Sequence, residues 1–113
     1  MKSLKNMFKL SHKVSVYVPS KKQTGESCDD YSDKTATLLA SLFGGATSTD
    51  AVGYWILSNS GKTQRENVKM VFAYAESLDE KAIDAIVSHC SEMKKECDQD
   101  SVALEIDGEL YFI

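Results

Sequence analysis

Apolar and polar positions alternate from Lys13 to Val18. Val14, Val16 and Val18 fall on one side, Ser15 and Tyr17 on the other. A period of two marks a half-buried strand, and Pro19 closes it because proline has no N–H to give to a ladder. The pattern then turns helical. Tyr31, Leu38, Leu39 and Leu42 form a stripe over residues 30–43, with Asp29 or Asp30 placed to cap it and Gly44 where a left-handed C-cap is wanted. Residues 47–57 concentrate Val52, Tyr54, Trp55 and Ile56, which reads as a strand. After the turn cluster Ser58-Asn59-Ser60-Gly61, residues 64–75 return as a strand. It carries Val68, Met70, Phe72 and Tyr74 on one side and Lys69, Val71, Ala73 and Ala75 on the other. Ser77 and Glu80 have capping-box spacing ahead of a helix ending near Glu96. Its stripe is Ile83, Ile86, Val87, Cys90, Met93 and Cys97. Val102, Leu104 and Ile106 alternate again, and Asp107-Gly108 signals a two-residue hairpin into a short fifth strand.

The order βαββαβ plus a closing hairpin predicts an α+β fold, a ferredoxin-like split βαβ sandwich. Its antiparallel sheet has two helices on one face. Right-handed crossovers give the strand order 4-1-3-2, with strand 5 beside strand 4. A chain of 113 residues supports one core, so residues 13–113 are read as a single domain. Residues 1–12 are a basic arm, expected to be flexible. In it Leu4, Met7 and Phe8 have helical spacing, but the segment is too short to hold a helix alone.

The helices leave one face of the sheet open. Strands 2 and 3 are apolar on both sides, so Trp55 or Tyr54, and Phe72 or Val71, must face away from the helices. An exposed apolar patch marks an interaction site, and self-pairing as a homodimer is its simplest use.

Charge adds a second asymmetry. Residues 1–25 hold six lysines and no acid, whereas the rest holds 7 basic and 17 acidic residues, for a net −4 overall. A basic arm on an acidic body suits a phosphate, an acidic partner or a second copy. No apolar run is long enough for a membrane span, and residues 1–13 lack a signal peptide's apolar segment. The expected location is cytoplasmic, and Cys28, Cys90 and Cys97 are expected as reduced thiols.

The chemical motifs are sparse. Gly61-Lys62-Thr63 imitates the end of a phosphate loop, but Ile56 stands where that loop needs glycine, and the segment opens a strand. Cys90 and Cys97 lie ~10 Å apart along one helix, too far to share a metal ion. Cys28 sits in a polar loop with no placeable base, as an ordinary exposed cysteine. The clusters Asp29, Asp30, Asp33 and Asp98, Asp100 lack a calcium loop's alternation. Lys21 and Lys22, with Gly25, lie in the loop before the first helix, where anions are attracted. The aromatics at Phe72 and Tyr74 lack the glycine pattern of an RNA-binding sheet, and the acidic body opposes nucleic acid.

Three stretches carry a resemblance: Val14-Ser15-Val16-Tyr17-Val18-Pro19-Ser20; Phe43-Gly44-Gly45-Ala46-Thr47 with Gly53-Tyr54-Trp55; and residues 105–113. Together they resemble small uncharacterised proteins carried by bacteriophages, plasmids and other mobile elements. The resemblance implies an accessory role, countering host defence by binding a host protein or sequestering a signalling nucleotide. It carries over no catalytic residue.

The function expected from the sequence is therefore a non-catalytic accessory protein that occupies a partner protein, rather than an enzyme. One alternative is a binder of an anionic small molecule or nucleotide at a dimer interface. A small α+β-barrel enzyme using Cys28, His89 or one of Asp29, Asp30 and Asp33 is the other. The candidate binding residues are Tyr17, Lys21, Lys22, Gly44, Gly45, Tyr54 and Trp55. No metal or cofactor is expected.

Overall fold

The computed structural model describes residues 2–113; Met1, the first residue of the arm, lies outside them. A 3₁₀ turn, Lys2–Leu4, opens the chain. The elements then run β1 (His12–Pro19), α1 (Asp30–Phe43), β2 (Thr47–Ile56), β3 (Thr63–Ala75), α2 (Glu80–Glu96), β4 (Ala103–Ile106) and β5 (Glu109–Phe112). They build one antiparallel sheet in the order β2-β3-β1-β4-β5, the order that right-handed crossovers require. Among the described residues, no helix is long and apolar enough to cross a membrane.

Register assigns the two faces. Val14 pairs with Ala73 and Ile106, and Val16 with Val71 and Leu104. Alternate residues of β1, β3 and β4 therefore point to the helices, where Val14, Val16, Val18 and Val71 are fully buried. Leu39 from α1 and Ile86, Cys90 and Met93 from α2 close over them. Each such side chain contributes roughly 1.5–3 kcal/mol on burial. The opposite face carries Ser15, Tyr17, Met70, Phe72 and Trp55.

β1 begins one residue earlier than expected, taking His12 from the arm. The reason lies in the closing hairpin. Asp107 and Gly108 both adopt positive φ (52° and 87°), the mirror-image turn that matches strand twist. This aims the Asp107 carboxylate at β1, 2.7 Å from His12 Nδ1 and 2.9 Å from the Lys13 N–H. The bond to His12, and then the one to Lys13, holds the Asp107 carboxyl below its ordinary pKa.

Both helix starts differ from expectation. Neither Asp29 nor Asp30 caps α1 through its side chain; the turn begins earlier, with the Tyr31 N–H donating to the Cys28 carbonyl at 3.0 Å. At α2 the cap is Asp79 and not Ser77, with Asp79 accepting from the Ala82 N–H at 2.8 Å. The α1 stripe is also rotated. Tyr31, Ser32, Thr35 and Leu39 are buried, while Leu42 is exposed. A polar residue can take a core position when it is bonded, and Thr35 Oγ1 lies 2.7 Å from His89 Nε2 on α2.

Candidate functional site

The β2–β3 hairpin outruns its neighbours. β1 stays paired with β3 only as far as Pro19 opposite Val68, whereas β2 follows β3 to Ile56 opposite Thr63. Past the end of β1, three other segments come alongside the hairpin. These are the loop 20–29, the α2–β4 connection and the end of β5. They enclose an open bowl of about 870 Å³. Trp55 and Glu66 line it from the hairpin, and Lys21 and Lys22 from the loop. Asp100 and Phe112 complete the far wall.

Glu66 is the distinctive group. It shares a face with Trp55, which is opposite Gln64 and hence its diagonal neighbour. Directly across from Glu66 stands Gly53. A Cβ there would meet nothing nearer than the Glu66 carbonyl oxygen at 3.8 Å, so the missing side chain leaves the sheet beside the carboxylate uncovered. Burial raises the Glu66 pKa, and among the described residues no cation pairs with it. A desolvated carboxylate without a partner is stabilised by an incoming cation. The rim supplies the opposite charge. Lys22 is paired with Glu26 at 3.4 Å, and Lys21 faces the same bowl, whereas Arg65, opposite Tyr54, projects to the other side of the hairpin.

Of the expected binding residues, the fold brings Lys21, Lys22 and Trp55 together. Tyr17 lies on the same open face but mid-sheet, opposite Met70. Tyr54 points to the other face, where it is 64% exposed. Gly44 and Gly45 sit at the opposite end of the molecule. Gly44 does take the left-handed cap (φ 95°), its N–H donating to the Ala40 carbonyl, but a helix that starts beside the bowl necessarily ends away from it.

The acid–base candidates do not meet at the bowl. Asp29, Asp30 and Asp33 are exposed at the start of α1. His89 is bound in the seam between helices, against Thr35 and the Tyr31 ring, 5.8 Å away between centroids. Cys28 is not an exposed loop cysteine: it is buried, with 4% of its surface exposed, because the loop folds back onto the end of α2. Glu66 was missing from the candidates. Its one sequence-level signal was Gly53 in a strand, where glycine often marks a close approach to backbone or ligand.

No family model and no curated protein matches the chain. Solved structures do. A phage SAM lyase in complex with S-methyl-5'-thioadenosine aligns at TM-score 0.67 and 18% identity, over 97% of this chain and 95% of that one. A phage SAM lyase in the apo state aligns at 0.64 and 18%, over 95% and 94%. The two proteins share a fold. A Bacillus cereus protein related to NIF3 aligns at 0.55 and 13% identity, over 90% of this chain but only 25% of its own.

These neighbours bear out the α+β architecture, and two of them are phage proteins. They overturn the expectation of a non-catalytic protein binder, and with it the leaning against an enzyme, because the same fold carries a lyase from end to end. The physical reason lies in what that fold can host: the lyase's substrate, SAM, is a sulfonium, whose thioether departs neutral and needs no protein nucleophile. The absence of a nucleophile–base pair from the sequence was therefore no argument against catalysis.

Proposed function

We propose that this chain is a lyase that cleaves S-adenosylmethionine to S-methyl-5'-thioadenosine in the bowl. The observation that supports it is the half-buried Glu66 carboxylate, with no cation paired to it among the described residues, beside Trp55 and Gly53, on a fold shared with an enzyme that handles this substrate. Trp55 offers a flat apolar surface for the adenine ring. Glu66 is best used on the substrate ammonium. Placed on the sulfonium it would favour the ground state, whose charge disappears in the transition state, and so would slow the reaction. Lys21 on the rim suits the carboxylate.

The carbon–sulfur bond to the amino-acid chain breaks and its electron pair stays on sulfur. The four-carbon fragment leaves without water, by closing on its own carboxylate or by losing a β proton. Ring closure asks the protein for no base, which matches a bowl whose described lining holds the carboxylates Glu66 and Asp100 but no imidazole or thiol. Shape, desolvation and fixed charge then supply the catalysis.

Purified chain incubated with S-adenosylmethionine should accumulate S-methyl-5'-thioadenosine. Glu66→Gln and Trp55→Ala should each lower that rate by about tenfold or more, equivalent to ~1.4 kcal/mol. Wild-type protein that neither releases nor binds the thioether would sink the proposal. In a phage, consumption of the host's methyl donor would counter a defence that depends on it.

Homodimerisation across the open face belongs to the same reading. Trp55, Leu110 and Phe112 are 42%, 51% and 70% exposed there, and Trp55 and Phe112 also line the bowl. A second copy on that face would roof the site and keep water out. Native mass spectrometry that returns only monomer at micromolar concentration rejects this part.

A further inference from the structure

The loop that carries Lys21 and Lys22 is stitched to the end of α2 at two points. The Gln99 side-chain amide donates to the Lys21 carbonyl at 3.1 Å and to the Cys97 carbonyl at 2.9 Å. On the other side, the Tyr31 hydroxyl donates to the Glu96 carboxylate. Cys28 lies between Lys21 and Tyr31 in the chain, and Cys97 lies between Glu96 and Gln99. The two stitches therefore bring the two cysteines to one seam between the loop and α2, where the neighbouring Cys28 thiol helps raise the Cys97 pKa. Both belong to one buried cluster, with 4% and 1% of their surfaces exposed. Cys90 is two turns away on α2, ~10 Å along the axis, and cannot reach Cys97.

We propose that Cys28 and Cys97 form a reversible disulfide that tethers the Lys21–Lys22 loop to α2 and so regulates the bowl. The crosslink stands on its own geometry; its effect on turnover rests on the SAM-cleaving reading above. A disulfide needs Cβ atoms ~3.8 Å apart, which two cysteines in one buried cluster reach when the exposed loop shifts toward α2.

The oxidant is a peroxide. Residues 23–27 are exposed, and the loop closes through a few backbone bonds, among them Cys28 N–H to the Ser20 carbonyl at 2.8 Å. Such segments open locally at low cost. Cys28 on the opened loop attacks the peroxide. A sulfur–oxygen bond forms, the oxygen–oxygen bond breaks, and one water leaves. The Cys97 sulfur then displaces the hydroxyl on Cys28, forming the S–S bond and releasing a second water. Two thiols lose two electrons and two protons, and one hydrogen peroxide becomes two waters. Burial, followed by the neighbouring Cys28 thiol, pushes the Cys97 thiol up to about 12. Cys97 thus waits as the resolving partner rather than reacting first. A dithiol reductant reverses the sequence by exchange.

The test uses the full chain under native conditions. Hydrogen peroxide should remove about 2 Da, the mass of two hydrogens. Non-reducing peptide mapping should recover a Cys28–Cys97 linkage that dithiothreitol dissolves. Cys90→Ala should keep the linkage. Cys97→Ala should abolish it and leave Cys28 gaining oxygen; should that variant not fold, the wild-type map decides by itself. Oxygen addition without the linkage, or linkage through Cys90 or between chains, overturns the proposal. Release of S-methyl-5'-thioadenosine should fall several-fold on oxidation and return with reductant. Linkage with unchanged release removes the regulatory part. Reduced protein that releases none refutes the SAM reading, and the regulatory part with it, while the crosslink is still judged by mass.

Discussion

One face of the sheet is closed at one end and open at the other. On β1, Val14, Val16 and Val18 are wholly buried, while on the same face Val52, Tyr54 and Ile56 of β2 are 40%, 64% and 63% exposed. The residue types are nearly alike; what differs is the cover. α1 and α2 lie over β1 and the paired half of β3, and the hairpin runs beyond them, which helps stretch the molecule to 53 × 28 × 22 Å. An alternating apolar pattern therefore marks a face without saying that anything covers it. The closed end holds the fold together, and the open end is where a ligand or a second copy has room.

The largest effect that tests this contrast is on stability. Leu39→Ala, in the closed end, should cost ~3 kcal/mol by deleting a fully buried side chain. Ile56→Ala, on the hairpin, should cost under ~0.5 kcal/mol, as surface substitutions do. Urea unfolding at low and high protein concentration measures both. An Ile56→Ala cost that matches Leu39→Ala would mean the hairpin is covered in solution, and its growth with concentration would identify the cover as another copy.

A smaller effect probes the open face at its centre. Ser15 is completely buried, yet its Oγ has no hydrogen-bond partner. Its cross-strand neighbours are Phe72 and Glu105. A buried hydroxyl without a partner costs ~1 kcal/mol or more, so Ser15→Ala should raise stability by about that amount. A loss of stability instead would show that the hydroxyl is bonded in solution, through water or a second chain. That result would bring the open face closer in kind to the closed one.

The frame of the molecule was legible because its signals are local. Valine alternation in β1, Asp107-Gly108 at the hairpin and Gly44 after α1 each act within a few residues. With the handedness of the crossovers they fix the strand order. What was not legible depends on distant partners. Thr35 belongs to the core only because His89, 54 positions away, bonds to it. Cys28 is buried only because α2 ends where the loop folds back. Asp79 overrides Ser77 as cap by where the chain enters α2. Glu66 gave no signal of its own, since in an alternating strand acidic residues normally mark the wet side. Its partial burial and its empty neighbour position appear only when β2 brings Gly53 opposite it, and the bowl needs four segments to converge. Lys21, Lys22 and Trp55 entered the candidate set because a loop beside a helix start and an aromatic on a protruding strand are visible from local pattern alone, and the fold then brings them to one bowl.

The smallest effect belongs to the seam between α1 and α2, in the closed end. Burial lowers the His89 pKa from its ordinary 6.5; nearby Lys34 lowers it further, and Glu92 acts in the opposite direction. Thr35 and the Tyr31 ring face the same imidazole. As pH falls, the unfolded chain therefore takes up this proton before the folded one does. Above about 6.5 both states are neutral there and stability is full. Below it, stability declines until the folded-state value is passed, and then levels off. The Asp107 contribution is lost in a separate and more acidic window, because that carboxyl lies below its ordinary value. Melting temperature followed from about pH 7.5 to about pH 5 should thus slope downward toward acid in the native chain. His89→Gln keeps a polar partner for Thr35 but cannot titrate, so it should flatten that slope. The stitch between the helices belongs to the covered end, so the same substitution should leave ligand binding at the bowl unchanged. A slope that survives the substitution, or a bowl that responds to it, would show that the two ends are coupled through the α1–α2 seam rather than independent.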